Sequence, residues 1–262
     1  MGSKARFTKE ILPIILKDRK PEQWYVEPFA GGMNVICKVQ GNRIANDKNE
    51  FLIQMWSDLT KGIEFAKEIN KDLYDEARNR ANGKEPNKFC VNCNLPTNGE
   101  PCSYKRCPIF PIMTKAEIGW IGWMASFNGR FFDGGYSGKT KTRDYIDEQI
   151  RNTLKQVDKL KGTVFTCGDY NAFNIPKNSI IYCDPPYRGT KQYSTSKDFN
   201  HDKFFEWCRE MSKQGHTLFV SEYQAPDDFE CVWEMKTKSY MKPSRAEQTI
   251  EKLFKFSPTN VQ

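Results

Sequence analysis

The sequence predicts an α/β fold: a doubly wound, mostly parallel Rossmann-like sheet with a terminal antiparallel hairpin, interrupted by a largely helical or irregular insertion. Three observations carry this. Short apolar runs ending in an acid or a glycine alternate with amphipathic stretches, as a parallel sheet with crossover helices requires. The alternation stops between residues 62 and 143 and then resumes. A chain of 262 residues has room for one large α/β domain that carries an insertion and still buries a proper core.

Taken in order, residues 11–20 read as a short helix stopped before Pro21. Residues 23–27 (QWYVE) read as a strand, followed by the turn Pro28-Phe29-Ala30-Gly31-Gly32 and an amphipathic stretch over 33–39. A second strand over 43–46 (RIAN) ends at Asp47, and a helix over 50–61 follows. After the insertion come a helix over 144–160, strands over 163–167 and 179–183, a helix over 202–213 and a strand over 217–221. Segments near 230–240 and 250–256 form the expected hairpin.

Composition narrows the function classes. With 38% hydrophobic and 28% charged residues the chain is globular rather than disordered. No apolar run approaches the ~18 residues of a membrane span. Lys4, Arg6, Lys9 and Glu10 interrupt any signal-peptide pattern, so a cytoplasmic protein is expected. The formal charge of +7, from 40 Lys and Arg against 33 Asp and Glu, is compatible with a polyanionic partner. Of nine cysteines, Cys37, Cys167, Cys183, Cys208 and Cys231 sit in apolar stretches, as buried intracellular thiols do.

The strongest chemical signal is Asp184-Pro185-Pro186-Tyr187 after the apolar run 180–183. In an open α/β sheet, ligands bind beyond the carboxyl ends of strands, and the two prolines stop the backbone from continuing as strand or helix. A carboxylate and a carbonyl on a proline-stiffened loop are two acceptors in fixed geometry, suited to an amino group with two N–H donors. The tyrosine ring offers a stacking face. The bland alternative is a strand-ending turn with a solvated acid. A second signal, Glu27-Pro28-Phe29-Ala30-Gly31-Gly32, follows the first strand and lacks a dinucleotide or phosphate-loop pattern. Its glycines let a ligand approach the backbone, and Asp47 stands where an acid binds ribose hydroxyls, so a nucleoside without a pyrophosphate fits best. Third, Gly168-Asp169-Tyr170 follows another strand, where an acid and an amide could read an adenine edge.

In this order the motifs resemble the S-adenosylmethionine-dependent DNA adenine-N6 methyltransferases of the Dam type, especially compact phage-borne members, whose sheet is Rossmann-like. Gly2-Ser3-Lys4-Ala5-Arg6-Phe7 is similar to the family's N-terminal cofactor motif, and 122–138 to its aromatic–glycine segment. The resemblance covers most of 1–60 and 119–225. It implies that Lys4 touches S-adenosylmethionine and that the loop with Glu27, Phe29, Ala30 and Gly31 wraps its methionine end. It implies further that Asp47 holds the ribose, and that Asp169 and the Tyr170 amide bind the cofactor's adenine. Asp184, which also borders the cofactor, and the Pro185 carbonyl would accept from the target amino group. Pro186 would stiffen the loop and Tyr187 would stack on the flipped base. Double-stranded DNA is the implied partner, either in a restriction–modification pair or as an orphan phage enzyme.

Two features depart from the family. Cys90, Cys93, Cys102 and Cys107 lie in a polar, turn-rich stretch, leaving open a four-thiolate zinc site or adventitious thiols. Between Arg78 and Arg106, six basic residues stand against two acids, which suits phosphate contacts from an inserted recognition element and also an ordinary solvated face. Trp120, Trp123, Phe127, Phe131 and Phe132 could stack bases, although most belong in a core. His201 and His216 lie far along the chain from every motif and receive no role. The expected division is 1–61 and 144–262 for the catalytic domain, with 62–143 as the target-recognition region. N4-cytosine DNA methylation, adenine-N6 RNA methylation and a non-catalytic zinc-stabilised nucleic-acid-binding module remain as alternatives.

Overall fold

The computed structural model describes residues 4–84, 113–189, 198–238 and 248–256. Its strands are β1 (Tyr25–Glu27), β2 (Arg43–Asp47), β3 (Thr163–Cys167), β4 (Ile180–Cys183), β5 (Thr217–Glu222), β6 (Phe229–Lys238) and β7 (Gln248–Phe256). They form one sheet in the order β3-β2-β1-β4-β5-β7-β6. The first five are parallel, whereas β7 runs antiparallel to both β5 and β6. This is the expected mostly parallel sheet with its terminal hairpin. The strand order reverses between β1 and β4, so the loops after these two strands flank the switch point where open α/β sheets bind ligands.

β1 and β4 are buried on both faces, which is why they read as continuous apolar runs rather than alternating ones. Val26, Ile44, Ile181, Cys183, Leu218 and Val220 pack with Phe204, Phe205 and Cys208 of helix α6 (His201–Lys213) in one core. Side chains of adjacent residues point to the opposite face, where the Tyr182 and Ser221 hydroxyls are 2.8 Å apart. At the start of β2, the Arg43 guanidinium reaches back to the Val39, Lys159 and Lys161 carbonyls.

The chain divides into two compact units, Met1–Asn49 with Asp158–Gln262, and Glu50–Val157. The second unit holds α2 (Glu50–Thr60), α3 (Lys71–Ala81), α4 (Lys115–Ala125) and most of α5 (Tyr145–Leu160). It begins earlier and ends later than the expected 62–143. A Cβ on Gly119 of α4 would lie 2.1 Å from the Phe51 carbonyl oxygen of α2, so only glycine allows these helices their approach. Likewise Trp123 Nε1 of α4 donates to Thr153 Oγ1 of α5 at 3.2 Å, which ties α5 to this unit. Thr114 and Glu117 form a reciprocal capping box at the start of α4. Trp120 and Phe132 are buried, whereas Phe127 is 49% exposed.

Three local expectations are corrected. Residues 33–39 hold only a 3₁₀ turn, Ile36–Lys38, because Met33 has φ +56°, a backbone that cannot start a helix. The first helix, α1 (Thr8–Ile15), starts and ends earlier than 11–20 and carries Pro13 inside it. Cys167 and Cys231 are exposed rather than buried, while Cys37, Cys183 and Cys208 are buried as expected. Among the described residues no helix is long and apolar enough to cross a membrane.

Candidate active site

Asp184 is the first residue beyond β4, and the two following prolines hold its loop. Its side chain is 25% exposed. Its Oδ1, however, is buried, and the Lys4 Nζ lies 3.1 Å from it. Lys4 is 6% exposed and also lies 3.3 Å from Glu251 Oε2 on β7. Tyr187 is 1% exposed: its hydroxyl donates to Glu251 Oε2 at 3.0 Å, and Lys4 Nζ sits 4.5 Å over its ring. Tyr223 packs edge-on with that ring at 4.7 Å between centroids. The ring expected to offer a stacking face is therefore covered by residues of its own chain.

Burial works against the Lys4 ammonium, but the carboxylates of Asp184 and Glu251 outweigh it and hold its pKa above the usual lysine value. Burial raises the Asp184 pKa, and the Glu251 charge adds to this, while Lys4 pulls it back only in part. The two shifts do not oppose each other as in a simple pair, because one ammonium serves two carboxylates. Nearby, burial pushes Glu27 up to about 8, with the Tyr25 hydroxyl donating to its Oε1 at 2.8 Å. Glu222, at the end of β5, rises to about 7 through burial, while the Tyr223 and Arg188 amides donate to it at 2.8 and 3.1 Å.

On the loop itself, His201 Nε2 is 2.8 Å from the Pro186 carbonyl, so this nitrogen carries the proton. His201 was assigned no role from the sequence because it lies far along the chain, yet the first residue of α6 meets the motif directly. His216, by contrast, is structural: its Nδ1 accepts from the Ser179 amide at 3.1 Å.

Across the switch point, Gly31 takes φ +44°, which only glycine adopts freely. Its N–H donates to Asp47 Oδ2 at 2.8 Å, and the Asn49 N–H donates to Oδ1 at 2.8 Å. Asp47 thus anchors the glycine loop; of the four acceptor sites of a carboxylate, two remain for another donor pair. Asn46 is fully buried and was missed in the sequence. Its Nδ2 donates to the Pro28 and Gly168 carbonyls at 3.1 and 3.0 Å, and its Oδ1 accepts from Thr166 at 2.9 Å. One asparagine therefore ties together the ends of β1, β2 and β3.

Beyond β3 the Tyr170 amide donates to Asp169 Oδ1 at 2.8 Å, and Lys48 lies 3.3 Å from Oδ2. That amide is engaged within its own loop. Phe29 stacks on Tyr170 with 5.5 Å between centroids, and Phe199 packs against both at 5.8 Å. These partly buried rings form an apolar cluster beside the loops after β1 and β3, and Phe199 carried no motif in the sequence. Ala30 is buried, with its N–H donating to the Asn46 carbonyl at 2.9 Å. Cys90, Cys93, Cys102 and Cys107 lie outside the described residues. Among the described residues, no group of three or more His, Cys, Asp or Glu is arranged to hold a metal.

The α/β sheet thus places a carboxylate–diproline loop after β4 and a glycine loop after β1, on either side of its switch point. The sequence model of the D12 class N6 adenine-specific DNA methyltransferases matches residues 1–227, and the chain belongs to that family. No curated protein matches. Solved structures with a similar course include SMU.472, assigned as a methyltransferase and complexed with SAH, at 11% identity over 99% of this chain and 54% of that one, TM-score 0.38. The present chain thus spans about half the length of that structure. The rRNA methyltransferase AviRa from Streptomyces viridochromogenes is 10% identical over 97% and 86% of the two chains, TM-score 0.40. A protein from Listeria monocytogenes, assigned as a class I S-adenosylmethionine-dependent methyltransferase, is 12% identical over 99% and 61%, TM-score 0.37.

Proposed function

We propose that the chain transfers the methyl group of S-adenosylmethionine to the N6 amino group of adenine in double-stranded DNA, giving N6-methyladenine and S-adenosylhomocysteine. The observation that carries this reading is the Asp184 carboxylate, followed by the Pro185 carbonyl, at the carboxyl end of β4 on a loop locked by Pro185 and Pro186 and held 3.1 Å from the Lys4 ammonium. The amino group of adenine brings two N–H donors, one for each acceptor.

The residues also fit the cofactor. Asp47 keeps two acceptor sites for the ribose hydroxyls, Gly31 and Ala30 leave the backbone open to approach, and Phe29, Tyr170 and Asp169 flank the adenine position. Lys4, Asp184 and Glu251 carry one positive charge against two negative, an environment suited to a cation. When bound, S-adenosylmethionine supplies an electrophilic methyl on a positively charged sulfur. Asp184 and the Pro185 carbonyl orient the amino nitrogen so that its lone pair, otherwise delocalised into the ring, points at the acceptor carbon. Attack by that nitrogen forms the nitrogen–methyl bond as the sulfur–methyl bond breaks, the proton displaced from the nitrogen passes to solvent, and the step requires alignment and no protein nucleophile. Flipping the base out of the duplex gives access to the loop, with Tyr187 as the stacking partner once its ring is uncovered.

Residues 62–143 are proposed to read the DNA, with the basic stretch contacting phosphates and Cys90, Cys93, Cys102 and Cys107 holding a structural zinc. Transfer of labelled methyl to a duplex, followed by nucleoside analysis, tests the activity. Label on N6 of adenine is expected; label on N4 of cytosine, or on RNA alone, overturns it. Metal analysis of chelator-free protein should return one zinc per chain, and none would remove the zinc site.

A further inference from the structure

We propose that Glu251, on β7 and beyond the residues matched by the family, is a positioning residue for methyl transfer: it takes the Lys4 ammonium when adenine displaces it from Asp184 and from the Tyr187 ring. The inference rests on the function proposed above. The Lys4 ammonium touches both groups assigned to the base, Asp184 Oδ1 at 3.1 Å and the ring of Tyr187 at 4.5 Å. An ammonium on that oxygen competes with the amino donors of adenine, and a cation over that ring excludes a stacked base. Lys4 is buried, so it cannot simply retreat into water, and a buried ammonium without an anion is strongly disfavoured.

Glu251 provides the alternative anion. Its Oε2 is already 3.3 Å from Lys4 Nζ, so a small shift of a flexible side chain completes the transfer. The same oxygen accepts the Tyr187 hydroxyl at 3.0 Å, which keeps the carboxylate in place and holds the tyrosine in register. The terminal hairpin explains how a residue so late in the chain arrives here. Lys252 pairs with Glu222, the last residue of β5, so Glu251 lies one residue further out, at the carboxyl edge of the parallel strands where Asp184 sits. With Glu251 neutral, Lys4 keeps a single carboxylate partner, Asp184, and the acceptor stays blocked.

The test is single-turnover methylation of an adenine duplex at saturating cofactor, with cofactor affinity measured separately by calorimetry. Glu251→Gln keeps an acceptor for the Tyr187 hydroxyl but loses the charge. Its transfer rate should fall about tenfold or more, with cofactor affinity within about threefold of the parent and an unchanged melting profile. Glu251→Asp, which keeps the charge, should retain most of the rate. A parent rate in Glu251→Gln, a loss confined to cofactor affinity, or an equal loss of rate in Glu251→Asp overturns the inference. Absence of transfer by the parent protein is a separate result, and it would overturn the function itself.

Discussion

Lys4 Nζ is 3.1 Å from Asp184 Oδ1 and 3.3 Å from Glu251 Oε2, so one buried ammonium is shared between the loop after β4 and the terminal hairpin. A cation that already has a second carboxylate beside it is one that a substrate donor can displace from the first. This is what a site needs if its principal acceptor is to be protected between turnovers and surrendered to substrate. It also places the cation where it favours the ionised, acceptor-only form of Asp184 against burial and the Glu251 charge.

Asp184→Asn should therefore nearly abolish methyl transfer while the protein remains folded. The amide keeps one acceptor but presents a donor in place of the other, and it no longer attracts Lys4. Loss of a preorganised catalytic hydrogen bond costs about 3–4 kcal/mol, or 10²–10³ in rate. Single-turnover transfer with a circular-dichroism melt checks both halves. A rate within about threefold of the parent would remove Asp184 from the chemistry.

Much of this was legible in the sequence because strands buried on both faces betray themselves as short apolar runs. Residues 180–183 and the helices near 50–60 and 202–213 stand within a residue or two of where their patterns placed them. The motif acids at the strand ends were equally visible. What escaped were partners supplied by distant chain. Glu251 meets Lys4 and Tyr187 only because a hairpin returns antiparallel to β5, and His201 meets Pro186 only because α6 begins there. Asn46 was hidden by its own strand, since period-two patterning says nothing about which buried polar group ties neighbouring loops. The turn at Met33 escaped for a different reason: an amphipathic pattern promises a helix, and only backbone geometry reveals the left-handed residue that forbids its start.

Asp47→Ala should weaken S-adenosylmethionine binding by more than the loss of ribose contacts alone. Two backbone N–H groups, of Gly31 and Asn49, rest on this carboxylate, so its removal also frees the glycine loop. Roughly 1–3 kcal/mol is expected, about tenfold or more in affinity. Calorimetry on both proteins measures it, with exchange of the Gly31 amide as a second readout. Equal affinities would mean that the cofactor does not use this acid.

Within the second unit, Gly119→Ala should destabilise α2 against α4. The added methyl would stand 2.1 Å from the Phe51 carbonyl oxygen, a backbone atom that cannot swing aside. Overpacking of this kind costs roughly 1–3 kcal/mol, and more where the backbone must shift. Gly168→Ala meets nothing within 4 Å and serves as the control. Denaturant midpoints for the two variants should separate clearly, and coincident midpoints would mean that the helices are free to move apart.

Finally, the protein should lose stability on going from mildly acidic to alkaline pH, and Glu27 should account for much of that loss. Burial raises its pKa from 4.5 to about 8, so the folded state binds this proton more tightly than the unfolded chain. The contribution is complete below the unfolded value and disappears as pH rises through the folded one. Glu27→Gln does not titrate, and its amide oxygen still accepts the Tyr25 hydroxyl that now reaches Oε1. The stability of the variant relative to the parent should therefore grow between about pH 5 and about pH 8, by on the order of 2–4 kcal/mol, and then level off. Asp184 and Glu222 titrate in both proteins, so their shares largely cancel in the difference. Urea midpoints at intervals across this range provide the measurement. Parallel stability curves for the two proteins would place the proton elsewhere and leave Glu27 ionised beneath the sheet edge.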